Sequence, residues 1–161
     1  MAIRSVALAG MISDTSLYNI DGACVVGGAT AIPAGTVVKF TTAQPVDGHK
    51  TVEASGLVTG NALGVVVRSH YETPDGAARV KEAVNVMTHG RIWVRTDISV
   101  ATDVVFGAPV KVSTTGIVQK EGTVETGWTF AGGFISNTKT AGDNQSTGVD
   151  GALVEVQVKQ K

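Results

Sequence analysis

The side chains best suited to chemistry in this chain are His49, His70, His89 and Cys24. A two-histidine metal motif needs imidazoles a few residues apart, but the nearest two here are 19 apart. A cupin-type centre would want two histidines separated by one residue and a glutamate shortly after, and that pattern is missing. Three distant histidines could still converge in a barrel around zinc. The plainer reading is three separate loop-edge imidazoles. Any catalytic serine would need an activating base and an orienting third group, and there is no Gly-x-Ser-x-Gly elbow. The carboxylates are scattered, with Glu121 and Glu125 reading as solvated positions. Cys24 stands in the apolar run Ala23-Cys24-Val25-Val26, where a thiol acts as a small core residue. Neither Gly-x-x-x-x-Gly-Lys-[Ser/Thr] nor Gly-x-Gly-x-x-Gly occurs, so no phosphate-binding loop is expected. The Asp-Gly-aromatic segment of trimeric nucleotide pyrophosphatases is absent too. The inventory predicts a protein that is not an enzyme and holds neither cofactor nor metal.

A surface is easier to find than an active site. Arg91-Ile92-Trp93-Val94-Arg95 alternates with a period of two. As a strand it puts Ile92 and Val94 on one face and Arg91, Trp93 and Arg95 on the other. Arg and Trp dominate contact hot spots, so this strip is a candidate interface. The competing reading is an outer strand face on which the arginine stems shield the indole.

The elements that would position this strip are strands. The chain has 161 residues, with Val 26, Gly 20 and Thr 19 against Leu 5. β-branched residues suit a pleated surface and glycine suits the turns between strands. Ile32-Pro33-Ala34-Gly35 reads as a turn before a strand at 36–40, and residues 41–61 read as mostly loop. Residues 62–68 read as a strand covered on both faces. Residues 79–84 suggest a short helix, followed by a strand at 84–88 and a turn or bulge at His89-Gly90. A hairpin is expected at 109–119 around Thr114-Thr115-Gly116, with further strands at 123–130 and 153–159. Ser13-Asp14-Thr15-Ser16 reads as a turn, and residues 136–150 as one long polar loop. Together these predict an all-β single domain, a small β-sandwich or barrel of jelly-roll-like kind at 13–161. Residues 1–12 form an extended N-terminal arm ahead of it. The apolar stretch near the start is too short before its Ala7-x-Ala9 pair to read as a signal peptide.

Charge excludes further classes. Thirteen basic and fourteen acidic residues leave a net charge of −1 with no basic run, so nucleic acid is not an expected partner. No apolar run approaches the ~20 residues a membrane helix needs. The single cysteine excludes an intrachain disulfide framework.

The order of segments resembles the structural cement, or head-decoration, proteins of tailed bacteriophages. The resemblance rests on Ala9-Gly10-Met11, Ile32-Pro33-Ala34-Gly35-Thr36-Val37-Val38 and Ala62-Leu63-Gly64-Val65-Val66-Val67-Arg68. It continues through residues 84–94 (Val-Asn-Val-Met-Thr-His-Gly-Arg-Ile-Trp-Val), Gly107-Ala108-Pro109-Val110 and Gly151-Ala152-Leu153-Val154-Glu155-Val156. It spans nearly the whole chain and skips the stretch 72–82. It implies a protein made in the bacterial host cytoplasm and carried on the outer surface of the virion capsid. There it would bind the major capsid protein and stabilise contacts between capsid subunits. It also implies a homo-oligomer, with a trimer preferred to a dimer. The residues expected at the capsid or sister-subunit interface are Ile3, Arg4, Val6, Leu8 and Met11 of the arm, together with Arg91, Trp93 and Arg95. The alternative is a virion-associated binding module, a fibre-tip or carbohydrate-binding β-domain, which would expose aromatic platforms.

Overall fold

The computed structural model describes residues 7–41, 48–69, 76–138 and 150–159. Eleven strands follow in chain order: β1 (Ile12–Val26), β2 (Ile32–Pro33), β3 (Val37–Phe40), β4 (Lys50–Glu53), β5 (Ala62–Val66), β6 (Ala77–Ala78), β7 (Ala83–Arg95), β8 (Pro109–Val112), β9 (Val118–Gln119), β10 (Val124–Ile135) and β11 (Leu153–Val158). One 3₁₀ turn covers Ala101–Asp103. The all-β expectation holds.

Nine strands form one sheet that closes twice. β1 pairs in parallel with β4, β4 with β3, β3 with β5, β5 with β7, and β7 returns to β1. That is a five-stranded ring. Farther along the edge that carries β5, β7 pairs with β11, β11 with β10, β10 with β8 and β8 with β9. A bridge between Val118 and Thr96, just past the end of β7, brings β9 back to the start. Thr96 Oγ1 and the Asp97 amide both donate to the Val118 carbonyl, at 2.8 and 3.1 Å. β7 is therefore the wall the two rings share. Closure of this kind removes the open edges that make flat sheets stick to one another.

The valine-rich composition becomes clear at this point. Cys24, Val26, Val38, Val52, Val66, Val84 and Val86 come from all five strands of the first ring and form one buried cluster that fills it. A second cluster joins Val37, Val65 and Met87 to Ile92, Val94, Val110, Val112, Val118, Val124, Trp128, Phe130, Val154, Val156 and Val158. Neighbouring residues on β3 (Val37, Val38) and β5 (Val65, Val66) serve opposite cores, so consecutive valines are required where a two-faced strand separates two apolar layers. Each fully buried valine is worth roughly 1.5–3 kcal/mol relative to exposure.

Four expectations need correction. Ser13–Ser16 is no turn between elements but part of β1: the Asp14 carboxylate accepts the Ser16 amide at 2.8 Å, so the local hydrogen bond forms within the strand and distorts it. Residues 79–84 form no helix. Lys81 takes φ 68°, Glu82 N–H returns to the Arg79 carbonyl at 3.0 Å, and the chain turns straight into β7. Of the two options at His89-Gly90 the turn is excluded, since β7 runs through it for 13 residues with β11 in register from Arg95 to Gly90, while the pairing with β1 is irregular there as at a bulge. Within the expected loop 41–61, Lys50–Glu53 forms β4 against β1 and β3. The 109–119 hairpin is as expected, with Ser113 N–H bonded to the Ile117 carbonyl at 2.8 Å and Gly116 at φ 82°. Most of the expected polar loop, 139–149, lies outside the described residues.

Candidate functional site: the outer face of β7 and its surroundings

β7 sends Ile92 and Val94 inward, both fully buried, and leaves Arg91, Trp93 and Arg95 half-buried on the other face. The three side chains have different surroundings. Arg91 Nε donates to Gln157 Oε1 at 3.0 Å across the β7–β11 pair. Trp93 stands opposite Glu155 in register and lies over Gly133 of β10, where a Cβ would come within 2.5 Å of the indole Cη2. Gly133 thus leaves the slot that the ring occupies. Arg95 turns inward to the backbone: its Nε donates to the Ala34 carbonyl at 2.9 Å and its Nη1 to the Asp150 carbonyl at 3.0 Å. The strip is continued by β1, where Ser13 Oγ donates to Glu155 Oε1 at 2.6 Å. Ser16 hydrogen bonds, side chain before backbone, hold the Asp14 carboxyl below its usual value, with a smaller effect of the same sign from the Arg91 charge.

Of the expected arm, Ile3, Arg4 and Val6 lie outside the described residues. The part that is described is laid onto the domain. Ala9 is fully buried, Gly10 N–H donates to the Trp93 carbonyl at 2.8 Å, and Trp93 N–H donates to the Met11 carbonyl at 3.0 Å. Leu8 is half-buried and Met11 is exposed. Residues 10 and 11 thus extend the ladder along β7, directly beneath Trp93.

Two apolar projections lie outside the residues expected at an interface. From Asp14 to Asn19, β1 advances five residues while β7 advances only from Arg91 to His89. The surplus bulges outward and carries Leu17, 73% exposed, and Tyr18, 45% exposed. The second projection is the turn at 105–108, closed by Ala108 N–H on the Val105 carbonyl at 3.0 Å, where Phe106 is 70% exposed. The apolar run Val104-Val105-Phe106 was the only sequence signal for it, and that run also fits a core strand.

The chemistry-bearing residues do not assemble. Cys24 is buried in the first core, and desolvation pushes its thiol up to about 11. His49 is exposed, His89 sits half-buried on β7, and His70 is outside the described residues. Among the described residues no three of His, Cys, Asp or Glu come together as a metal site. A groove of about 330 Å³ beside Ala78 and Val84 holds one carboxylate, Glu82, which accepts the Arg79 amide at 2.7 Å. Among the described residues no helix is long and apolar enough to cross a membrane.

A doubly closed β-fold that turns Arg91, Trp93 and two apolar projections outward has the build of a protein that works by contact. The comparisons agree. The family described as "Structural cement protein (E217 gp24/Pam3 gp6)" matches residues 2–159, and the chain belongs to that family. None of the curated proteins matches at a significant level. Among solved structures, a chain from "The capsid of Myoviridae Phage XM1" shares the fold with a TM-score of 0.60. The two are 13% identical, and the match covers 98% of this chain and 94% of that one. The protein is a phage structural cement protein.

Proposed function

We propose that the chain binds the outer surface of the icosahedral head and bridges neighbouring major capsid subunits, acting as a homo-oligomer without catalysis. The observation that carries this reading is the pair of apolar projections, Leu17-Tyr18 and Val105-Phe106, which hold the two most exposed large apolar side chains among the described residues, Leu17 and Phe106. Exposed apolar groups on a rigid scaffold are contact points. The N-terminal segment adds a second kind of contact. It is bonded to β7 at Gly10 and Met11, and a chain segment in such a place can join a partner's sheet through backbone hydrogen bonds. Oligomerisation, a trimer in preference to a dimer, multiplies modest interfaces through effective concentration.

Co-sedimentation with expanded heads lacking this protein tests the reading. Saturable binding at a fixed ratio to the major capsid protein supports it, and the ratio distinguishes two-fold from three-fold sites. Leu17→Ser combined with Phe106→Ser should weaken binding while the isolated domain melts as before. A folded protein that fails to bind intact heads overturns it.

A further inference from the structure

Ala9 is held in an unusual way for a residue beside a sheet. It is fully buried, so both of its backbone polar groups need partners. Neither partner is a strand backbone. Its N–H donates to Asp150 Oδ2 at 2.9 Å, and its carbonyl accepts Arg68 Nε at 3.0 Å. Arg68 Nη2 donates to the same Asp150 Oδ2 at 2.5 Å, which closes a ring of three residues. One residue later the backbone takes over, with Gly10 N–H on the Trp93 carbonyl at 2.8 Å and Arg68 N–H on the Gly10 carbonyl at 2.9 Å. The ladder along β7 therefore stops at Gly10, and an ion pair grips the buried Ala9 peptide next to it. The grip is itself anchored, because the Asp150 carbonyl accepts Arg95 Nη1 at 3.0 Å while Arg95 Nε is held by Ala34.

We infer that Arg68 and Asp150 are positioning residues that hold the N-terminal segment to the domain at the Ala9 peptide. On the reading given under Proposed function, they thereby present the N-terminal segment to the capsid. The pair is well placed for this. Its side chains are only 28% and 15% exposed, so water competes poorly for the hydrogen bonds. Charge-assisted bonds are also the stronger kind. Arg68 and Asp150 are 82 residues apart, so the segment is gripped by two distant parts of the fold. Arg95, expected at an interface from its place beside Trp93, acts here as a support for Asp150.

The test compares Asp150→Ala and Asp150→Asn with the wild-type full chain, measuring amide hydrogen exchange by NMR and affinity for heads lacking the protein. Asp150→Ala should speed exchange of the Ala9 amide by about tenfold or more, leave β7 and β11 protected, and weaken head binding by about tenfold. Asp150→Asn keeps an oxygen for the Ala9 N–H and should recover part of both effects. Unchanged exchange at Ala9 overturns the inference. So does a loss of protection spread evenly over β7 and β11, which would make the pair a stability element only. So does unchanged affinity once Ala9 is released. A variant lacking residues 2–6 separates the two levels. If it binds like wild type, the role given to the N-terminal segment falls. If it fails to bind while Asp150→Ala binds normally, only the positioning role falls.

Discussion

Gly116 offers a sharp test of how the two rings are joined. It sits at the tip of the β8–β9 hairpin with φ 82°, and its carbonyl accepts the amide of Val37 in β3 at 2.9 Å. A Cβ on Gly116 would stand 2.1 Å from the Val37 carbonyl oxygen and 2.9 Å from Thr36 Cγ2. Gly116→Ala therefore suffers twice. The left-handed backbone costs an alanine about 1–2 kcal/mol. The tip must also withdraw from β3, which leaves the buried Val37 amide unpaired at a further cost of about 1–3 kcal/mol. Gly107 supplies the control, with φ 80° and nothing within 4 Å of its hypothetical Cβ. Gly107→Ala should pay only the backbone cost. The difference between the two variants is about 2 kcal/mol, or roughly 4–8 °C in Tm for a domain of this size. Calorimetry on both variants, with denaturant unfolding as a second measure, reads it directly. Equal melting temperatures would refute the docking of the hairpin on β3 as a source of stability.

Other outcomes follow from burial and charge. Ile92→Asp and Val156→Asp each place a carboxylate at a site of zero exposure and should cost more than about 4 kcal/mol, seen as loss of the cooperative melt. Trp93→Ala empties the slot over Gly133 on the outer face. It should lower stability by roughly 1–3 kcal/mol, less than truncation of a core Trp, leave the domain folded by circular dichroism, and reduce occupancy on heads. The Cys24 thiol is raised from 9.0 to about 11 in the folded state, so above pH 9 the unfolded chain releases a proton that the folded one keeps. Stability should then fall between pH 9 and 11 by an amount on the order of 2–3 kcal/mol. A Cys24→Ala variant should lack this component of the slope in denaturant titrations, and the wild-type thiol should resist alkylation at pH 8 until the protein unfolds.

Period-two patterns were legible wherever one strand face was apolar. Val154, Val156 and Val158, and Ile92 with Val94, pointed inward as the alternation required. The hairpin at Thr114-Thr115-Gly116 was legible because turn chemistry is local. What the sequence hid depended on distant partners. β4 has only four residues and is held by β1 and β3 rather than by its own pattern. The 79–84 segment looked helical only because its turn depends on a positive φ at Lys81, a conformation sequence rarely signals for a lysine. The alternation placed Arg91, Trp93 and Arg95 on one face, but the hydrogen bond from Arg95 to the Asp150 carbonyl spans 55 residues and no local spacing reveals it. Leu17 and Phe106 went unmarked because an apolar residue in a single sequence gives no sign of which side of a bulge it will take.

The shared wall has a mechanical meaning. β7 is 13 residues long and is bonded on one edge to β1 and on the other to β5 and, farther along, β11. Inter-strand hydrogen bonds lie across the strand direction. A tug along β7 strains them in parallel, all at once, whereas a tug across it peels them one by one. With the N-terminal segment stitched to β7 at Trp93, a load entering there passes into the strand lengthwise. Both rings then share the strain, and neither has to open first.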